Sequence, residues 1–379
     1  MNFTIDKKEL SALTTMVHRA ASNKNTIPVL SGMLLEVSND RGLTMTATDM
    51  EIGIQATTKN VDIIDEGSVL VNAYYFTDFI KLLPDSPISI KLDQESSKLN
   101  ITYGRSSGSI NTYLQQEYPN LPIDSMSYNF SIGQDILREA LRKTSLAVAT
   151  SHFRQVFTGV LFDLNDTNTL KVVASDTHRL AFFSHPMKQP PKEPLRFIIP
   201  LRTVNELTRL LEDSPDKIDI AFTENNVIFY NNQFLLLSRL IEGQYPNYEQ
   251  VIPSSFNTHA TIDTRILIQS MERARTMPMD SKVKFQHFKL SFCDNEAIIN
   301  AYSEIMGEIE EHIEDITIDG DTSINIAFNT NYFLEAVKLL APECSQISVS
   351  FSGSLGPAMI KNPEKDDYIY ILVPLRTTN

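Results

Sequence analysis

The stretch Leu170–Ser184, LKVVASDTHRLAFFS, decides the fold, because the chain repeats its pattern. Its apolar residues alternate and then flank a polar centre, Ser175–Arg179, which predicts two strands joined by a tight turn. The same pattern occurs at Leu43–Gln55, LTMTATDMEIGIQ, where Asp49 stands 127 positions before Asp176. A strand–turn–strand unit therefore occurs at least twice, at a spacing typical of whole domains.

A third, weaker copy of this pattern is Ala297–Ile305, AIINAYSEI, which places Ser303 at the position of the aspartate, again 127 positions on. Before each copy come a strand and a helix with apolar residues at helical spacing, and Asp6 and Asp263 are the predicted N-caps of two of these helices. After each copy comes a second strand–helix half. We therefore predict an α+β fold of three tandem similar domains, each made of two helix-plus-sheet halves. The predicted domains are 1–124, 125–253 and 254–379.

The first two repeats end in the same tripeptide, Tyr118-Pro119-Asn120 and Tyr245-Pro246-Asn247. A proline in such a segment favours a turn or an extended connection, so we interpret both as linkers between domains.

The composition is that of an ordinary globular protein, with 42% hydrophobic and 21% charged residues in 379 and a formal net charge of −14. An acidic total, taken alone, argues against binding of nucleic acid by general attraction, so any such role depends on where the cations lie. The two cysteines, Cys293 and Cys344, lack a metal or redox spacing and are predicted to be buried free thiols. No signal peptide or membrane span is predicted, and a cytoplasmic location is expected. No cofactor and no metal site are expected.

Three phrases in this order, SDTHRLA, EGQYPNYEQVIP and the terminal YILVPLR, together with the triplication, resemble the bacterial sliding clamps, the beta subunits of DNA polymerase III. The resemblance implies a head-to-tail homodimer whose six half-domains form a closed ring, with helices inside around duplex DNA and sheets outside. It implies a processivity factor without enzymatic activity. The implied partners are duplex DNA without sequence preference, the replicative polymerase, an ATP-driven clamp loader and other replication and repair proteins with clamp-binding peptides.

A ring that slides needs loose contacts to phosphate, so basic residues on the polar faces of the helices are candidates for its lining. Helical spacing from Leu137 places three of them on the polar side of one helix, and Lys24 matches a family position that touches DNA. The alternative for each residue is a solvated helix face. The candidates are Arg19, Lys24, Lys81, Arg138, Arg142, Lys143, Arg202, Arg209, Arg273, Arg275 and Lys338.

The family binds partner peptides in an apolar pocket between the second and third domains, and the resemblance transfers this pocket residue by residue. The implied residues are Arg154, Phe157, Ser175, Thr177, His178, Arg179, Leu180, Pro246, Gln250, Val251, Asn329, Tyr332, Ile371, Val373, Pro374, Leu375 and Arg376. The pocket would suit a short extended peptide with a glutamine and a pair resembling leucine–phenylalanine. The alternative for the C-terminal residues is a frayed tail, although an apolar strand ending in Pro-Leu would leave an exposed patch.

Several positions differ from the family's commonest residues. Thr177 stands where glycine is usual, Gln250 where arginine is frequent, and Val373 and Leu375 where methionines are frequent. The segment Thr377–Asn379 extends beyond the usual end.

Two other function classes are weighed against the clamp. Ser175, Asp176 and His178 invite a catalytic interpretation, but neighbours on an extended segment point to opposite faces and cannot form a triad. A turn role for the aspartate, accepting hydrogen bonds from backbone amides, is favoured. A monomeric β-rich binding module with three similar ligand sites is the other alternative. The acidic run Glu308–Asp315 predicts an exposed strand whose charges discourage edge pairing.

Overall fold

The computed structural model describes residues 1–23, 27–114, 117–151, 153–166, 168–278, 286–293 and 295–376. The chain forms two compact units. Unit 1 comprises Met1–Arg138, Gln189–Lys192 and Arg202–Leu240, and unit 2 comprises Glu139–Lys188, Glu193–Leu201 and Ile241–Asn379. The second repeat is therefore divided between the two units. The α+β fold with three repeated domains is confirmed.

The described residues contain six α-helices, two for each repeat. They are α1 (Lys7–Val17), α2 (Ala73–Leu82), α3 (Gln134–Ser145), α4 (Leu201–Leu210), α5 (Thr264–Ala274) and α6 (Thr330–Leu340). In unit 1 α1 packs against α2, and in unit 2 α5 packs against α6. The predicted N-caps are confirmed, because Asp6 accepts a hydrogen bond from the Lys8 amide and Asp263 accepts one from the Ile266 amide.

Unit 1 contains a five-stranded antiparallel sheet built from the first repeat. Its order is β5 (Val61–Asp65), β1 (Asn2–Asp6), β7 (Pro87–Asp93), β8 (Lys98–Tyr103) and β9 (Ser106–Asn111). The strand β9 is thus an edge of this sheet, with β8 on its inner side.

The second sheet of unit 1 has eight strands and joins two repeats. Its order is β10 (Ser127–Gly133), β15 (Lys217–Phe222), β16 (Asn226–Tyr230), β17 (Phe234–Arg239), β4 (Ile52–Thr58), β3 (Gly42–Thr48), β2 (Gly32–Ser38) and β6 (Gly67–Asn72). The joint is the antiparallel pair β17·β4, where Ser238 lies opposite Ile52. The last strand of one repeat therefore pairs with the hairpin of the repeat before it.

Unit 2 contains a nine-stranded sheet joined in the same way. Its order is β14 (Leu195–Pro200), β11 (Gly159–Leu164), β12 (Thr169–Ser175), β13 (Arg179–Pro186), β26 (Tyr368–Leu372), β25 (Ala358–Lys361), β24 (Gln346–Phe351), β18 (Thr258–Asp263) and β22 (Thr317–Gly320). Here the joint is the pair β13·β26, where Arg179 lies opposite Leu372. The last strand of the third repeat thus extends the hairpin of the second.

A four-stranded sheet completes unit 2. Its order is β21 (Gly307–Ile313), β20 (Glu296–Ser303), β19 (His287–Cys293) and β23 (Asn325–Asn329). The acidic strand β21 is an edge of this sheet, and its outward residue Glu310 is exposed.

The core of each unit is made by the inward faces of strands and the apolar stripes of helices. In β24, for example, Ile347 and Val349 are fully buried. Among the helices that the structure describes, none is long and apolar enough to cross a membrane.

Candidate functional site

The hairpin between β12 and β13 is closed by Asp176. One of its carboxylate oxygens accepts hydrogen bonds from the backbone amides of His178 (2.9 Å) and Arg179 (3.0 Å). The Ser175 hydroxyl donates to the Arg179 carbonyl (2.8 Å) and accepts from the Thr177 amide (3.2 Å). Thr177 has a φ of 76°, the left-handed region that costs a residue with a Cβ about 1 kcal/mol. Side-chain bonds to the backbone therefore hold the turn in this conformation.

Asp49 closes the corresponding hairpin of the first repeat in the same way. It accepts hydrogen bonds from the amides of Glu51 (3.1 Å) and Ile52 (3.0 Å), and Met50 has a φ of 75°. The Thr48 hydroxyl donates to the Ile52 carbonyl (2.8 Å) and accepts from the Met50 amide (3.0 Å). The turn role predicted for the aspartate is confirmed in both copies.

In the third copy the prediction for Ser303 is wrong. Its hydroxyl accepts from the Ile305 amide (3.3 Å), and Ser303 lies opposite Gly307, as Ser175 lies opposite Leu180. Ser303 therefore matches Ser175 and not the aspartate. The third turn is one residue shorter, and a fixed spacing of 127 hides this deletion.

A mostly apolar cavity of about 190 Å³ lies beside the second hairpin, wholly within unit 2. Its floor includes the buried side chains of Phe157, Leu180 and Ile371. The strand β26 leads into it, because the Val373 amide donates to the His178 carbonyl (2.9 Å). The residues of the predicted pocket that line the cavity are Phe157, Ser175, Thr177, Arg179, Leu180, Pro246, Val251, Ile371 and Val373.

Three lining residues were missed from the sequence, namely Tyr245, Asn247 and Tyr248. The Tyr245 ring packs edge-on against Phe157, with 5.7 Å between centroids. The Tyr248 hydroxyl donates to Asp163 (3.0 Å), and burial together with that carboxylate raises the pKa of Tyr248. The sequence does contain a signal for two of these residues, the repeated tripeptide Tyr-Pro-Asn, but its proline predicts only a linker between domains.

The other predicted pocket residues lie outside the cavity lining. Asn329 is the N-cap of α6, and it accepts from the amides of Asn331 (3.0 Å) and Tyr332 (3.2 Å). The Leu375 amide donates to the Ala327 carbonyl (2.7 Å), so this part of the C-terminal segment is held against β23. The predicted residues outside the lining are Arg154, His178, Gln250, Asn329, Tyr332, Pro374, Leu375 and Arg376.

Arg179 fixes the hairpin against α6. It donates to Asp176 (2.9 Å) and Glu335 (2.6 Å), and its guanidinium lies 3.8 Å from the centroid of the Tyr332 ring. Burial alone would lower the pKa of Arg179, but Tyr370, Glu335 and Asp176 outweigh burial and raise it. Arg179 is therefore a permanent charge that positions one wall of the cavity.

The first repeat lacks room for an equivalent cavity. A Cβ at Gly53, the residue that matches Leu180, would lie 2.4 Å from Cδ2 of Leu121. Leu121 thus occupies the space beside the first hairpin. The alternative of three equal ligand sites does not fit this arrangement.

Most of the predicted DNA-facing cations are exposed, but carboxylates accompany them. Arg142 pairs with Glu343 (2.8 Å), and Arg209 pairs with Glu206 (2.6 Å). Further pairs are Arg202 with Asp49, Arg273 with Glu311 (2.5 Å) and Lys338 with Glu272 (2.5 Å). The exposed members of the set are Arg19, Lys81, Arg138, Arg142, Arg202, Arg209, Arg273, Arg275 and Lys338.

Lys143 contradicts its prediction. Its side chain is only 1% exposed, and its ammonium group pairs with Glu139 (2.7 Å) and Glu343 (2.8 Å). The ammonium also lies over the rings of Phe183 (5.9 Å) and Tyr368 (5.5 Å). Helical spacing places Lys143 on the polar side of α3, but it does not reveal that another segment of the chain packs there.

Some expectations concern residues that the structure does not describe, namely Lys24 and Thr377–Asn379.

The predicted burial of both cysteines is wrong for Cys293, which is exposed, and Cys344 is half-buried. In the part of the chain that the structure describes, no group of three or more His, Cys, Asp or Glu is arranged to hold a metal ion.

Comparison with known protein families decides which functional interpretation of these residues is correct. Three family models match the chain in order. They describe the DNA polymerase III beta subunit as its N-terminal domain (residues 1–122), central domain (131–247) and C-terminal domain (249–376). The chain belongs to the DNA polymerase III beta subunit family. The predicted domain boundaries at 124/125 and 253/254 stay predictions.

Relatives of this family match over the whole chain. A "Beta sliding clamp" from Bacillus subtilis is 31% identical over 100% of both chains. The crystal structure of a DNA polymerase sliding clamp from Bacillus subtilis has a TM-score of 0.91 at 30% identity, with full coverage of both chains. A Pseudomonas aeruginosa sliding clamp bound to griselimycin has a TM-score of 0.90 at 27% identity, also with full coverage.

Membership of the beta subunit family makes this chain a DNA polymerase III processivity factor and not an enzyme. The catalytic alternative for Ser175, Asp176 and His178 is therefore wrong. Their hydrogen bonds shape the hairpin, and the hairpin shapes the cavity.

Proposed function

We propose that two copies of this chain close head to tail into a ring around duplex DNA, and that the cavity beside the second hairpin holds peptides of the polymerase and of other partners. The observation that carries the proposal is the strand pairing between repeats. It occurs as β17·β4 and again as β13·β26.

Each joint uses the last strand of one repeat and the hairpin of the repeat before it. Among the described strands, two that correspond to those in the joints are not joined in this way. They are β9, the last strand of the first repeat, and β21, the hairpin strand of the third. Both are sheet edges. Joining β9 of one copy to β21 of a second copy in both directions gives a closed dimer with two identical interfaces.

The exposed basic residues on the helices are the proposed DNA contacts. Ion pairs such as Arg142–Glu343 weaken each cation's attraction for phosphate, so the lining would guide a duplex without gripping it. Phosphate contacts carry no sequence information, which suits a factor that must slide over any sequence. Such a lining would reconcile a net charge of −14 with a role on DNA.

The cavity suits an extended peptide. Its apolar floor would take side chains such as leucine and phenylalanine, and the exposed Asn247 at its wall offers a polar side chain that would fix the register of the peptide. A tether of this kind keeps the polymerase at high effective concentration near the primer end. An ATP-driven loader that opens the ring, and a cytoplasmic setting, belong to the same proposal.

Retention on DNA of different topology tests the ring. The protein is loaded onto nicked circular DNA with an ATP-driven clamp loader from a relative, and bound protein is measured after gel filtration. Cutting the circle once should release nearly all of the protein within minutes at unchanged salt, because free ends let a closed ring slide off. Equal retention on the circular and linear forms would refute encirclement.

A further inference from the structure

The helix α2 carries an apolar stripe with large exposed side chains. Tyr75 and Leu82 on this stripe are 59% and 85% exposed, and the Tyr75 ring stacks on that of Phe79 with 6.5 Å between centroids. Asp78 lies in the middle of the stripe, because residues three and four apart share one face of a helix. Exposed apolar side chains grouped in this way are typical of a surface that binds another protein.

The stripe is buried or covered at matching positions of α4 and α6. Thr203 and Leu207 of α4 are at most 2% exposed. Tyr332 of α6 lies under Arg179 of the preceding repeat, with 3.8 Å between the guanidinium and the ring centroid. The helix α2 belongs to the first of the three repeats, so the proposed ring places the third repeat of a second copy against it.

An acidic residue is the sixth residue of all three helices, and in two of them it lies near a cation of the preceding repeat. Glu335 of α6 pairs with Arg179 (2.6 Å), and Glu206 of α4 lies 3.9 Å from Arg19. The third acid is Asp78, which is exposed and makes no ion pair within the described part of its own chain. A carboxylate inside an apolar interface is unfavourable without a partner, so the pattern predicts a cation opposite Asp78.

The two pairs inside the chain indicate where that cation lies. Arg179 belongs to the hairpin of its repeat, and the matching residue of the third hairpin is Met306, which carries no charge. Arg19 comes two residues after the end of α1, and Arg275 comes one residue after the end of α5. Arg275 is exposed, so its guanidinium is accessible to a second copy.

We propose that Asp78 of one copy pairs with Arg275 of the second copy, and that this pair determines which surfaces of the two copies join. The inference rests on the proposed ring and assigns Arg275 to the joint between copies. The apolar stripe supplies the contact area. The pair supplies the direction, because two α2 helices facing each other would bring two Asp78 carboxylates together.

Reversing each charge tests the pair, and sedimentation velocity over a dilution series measures dissociation of the dimer. Asp78→Lys and Arg275→Glu each place like charges opposite one another at both joints of the ring. Each single variant should weaken the dimer roughly tenfold per joint, which is about a hundredfold in its dissociation constant, because like charges in an interface repel.

Mixing the two variants in equal amounts is the decisive experiment. A ring with one copy of each contains one joint with the native pair and one joint with both charges reversed, so neither joint has like charges. The mixture should therefore dimerise about as tightly as the wild type, although each component alone does not.

Arg265→Glu is the matched control. It makes the same change in charge on an exposed residue at the opposite end of α5, and it should leave dissociation of the dimer unchanged. Far-UV circular dichroism of all three variants should match the wild type, because the three residues are exposed.

The outcomes separate failure of the inference from failure of the proposed ring. If the wild type dimerises but either Asp78→Lys or Arg275→Glu leaves the dimer unchanged, the inference alone is wrong. The same conclusion follows if the mixture stays as weak as its components. If the wild type is a monomer throughout the series, the proposed ring fails and the inference fails with it.

Discussion

Two cations, the largely buried Arg179 and the fully buried Lys143, join the second repeat to the third at opposite ends of one strand pair. Arg179 lies opposite Leu372 at the cavity end of β13·β26, and Phe183 lies opposite Tyr368 at the end covered by Lys143. Each cation pairs with an acidic residue on or just beyond α6. Buried ion pairs add little net stability over apolar packing, but they strongly disfavour any arrangement that separates the partners.

The Lys143 cluster gives a prediction about stability. Replacing Lys143 by methionine should destabilise the protein by about 3 kcal/mol at pH 7, because Glu343, whose side chain is only 15% exposed, then loses the Lys143 ammonium and keeps Arg142. Urea unfolding followed by circular dichroism measures this. Arg138→Met, an exposed change on the same helix, is the control and should stay within about 0.5 kcal/mol of wild type.

The pH dependence of the same variant follows from Glu343. Burial alone would raise the pKa of Glu343, but Lys143 and Arg142 outweigh it and hold the pKa below its usual value of 4.5. The stability from this group is present above pH 4.5 and is lost as pH falls through the lowered pKa. In Lys143→Met the acid limb should move to higher pH, so the difference from wild type shrinks below pH 4. A difference that is constant from pH 7 to pH 3 would contradict this account.

At the scale of elements, the hairpins were predictable because local bonds specify them. Asp49 and Asp176 hold their turns through amides two and three residues away, which a sequence pattern records directly. The pairs β17·β4 and β13·β26 were not assigned from the pattern, because they join residues far apart in sequence. Tyr245 was missed for a related reason, since a Tyr-Pro-Asn motif predicts a turn and says nothing about what packs beside it.

The C-terminal segment allows a prediction about the cavity. Deleting residues 373–379 should abolish binding of a fluorescein-labelled hexapeptide with glutamine near its start and Leu-Phe at its end, because Val373 lines the cavity and its amide is held by the His178 carbonyl. The dimer should survive, since β26 ends at Leu372 and keeps its partners. Native mass spectrometry and anisotropy measure the two properties. Deleting only residues 377–379 is the control and should preserve both. A monomer after the longer deletion would refute our assignment of this segment.

For the whole molecule, the charges at the proposed interface decide which edges can meet. The strand β21 carries Glu308, Glu310 and Glu311, whereas β9, SSGSIN, carries no charge. Two β21 edges would therefore repel each other, and an uncharged β9 edge would accept β21. The charges predicted to discourage edge pairing thus favour the head-to-tail joint over the head-to-head one.

The two joints inside the chain also predict the register of the joint between copies. Ser238 pairs with Ile52, and Leu372 pairs with Arg179, which matches Ile52 in the hairpin. The residue of β9 that corresponds to Ser238 is Ile110, and the residue of the third hairpin that corresponds to Arg179 is Met306. If Ile110 of one copy lies opposite Met306 of the second in an antiparallel pair, then Ser106 of the first copy lies opposite Glu310 of the second.

Cysteine cross-linking tests this register directly. In a Cys293→Ser, Cys344→Ser background, Ser106→Cys combined with Glu310→Cys should form disulfides that convert the chain to a covalent dimer on a non-reducing gel. Residues directly opposite in an antiparallel pair have Cα atoms about 4.5–5.5 Å apart, within the range that a disulfide spans. The matched control combines Ser106→Cys with Glu308→Cys, whose diagonal separation of about 7–8 Å is too long. Efficient cross-linking of the control pair with none of the test pair would show that the joint between copies does not repeat the joints within the chain.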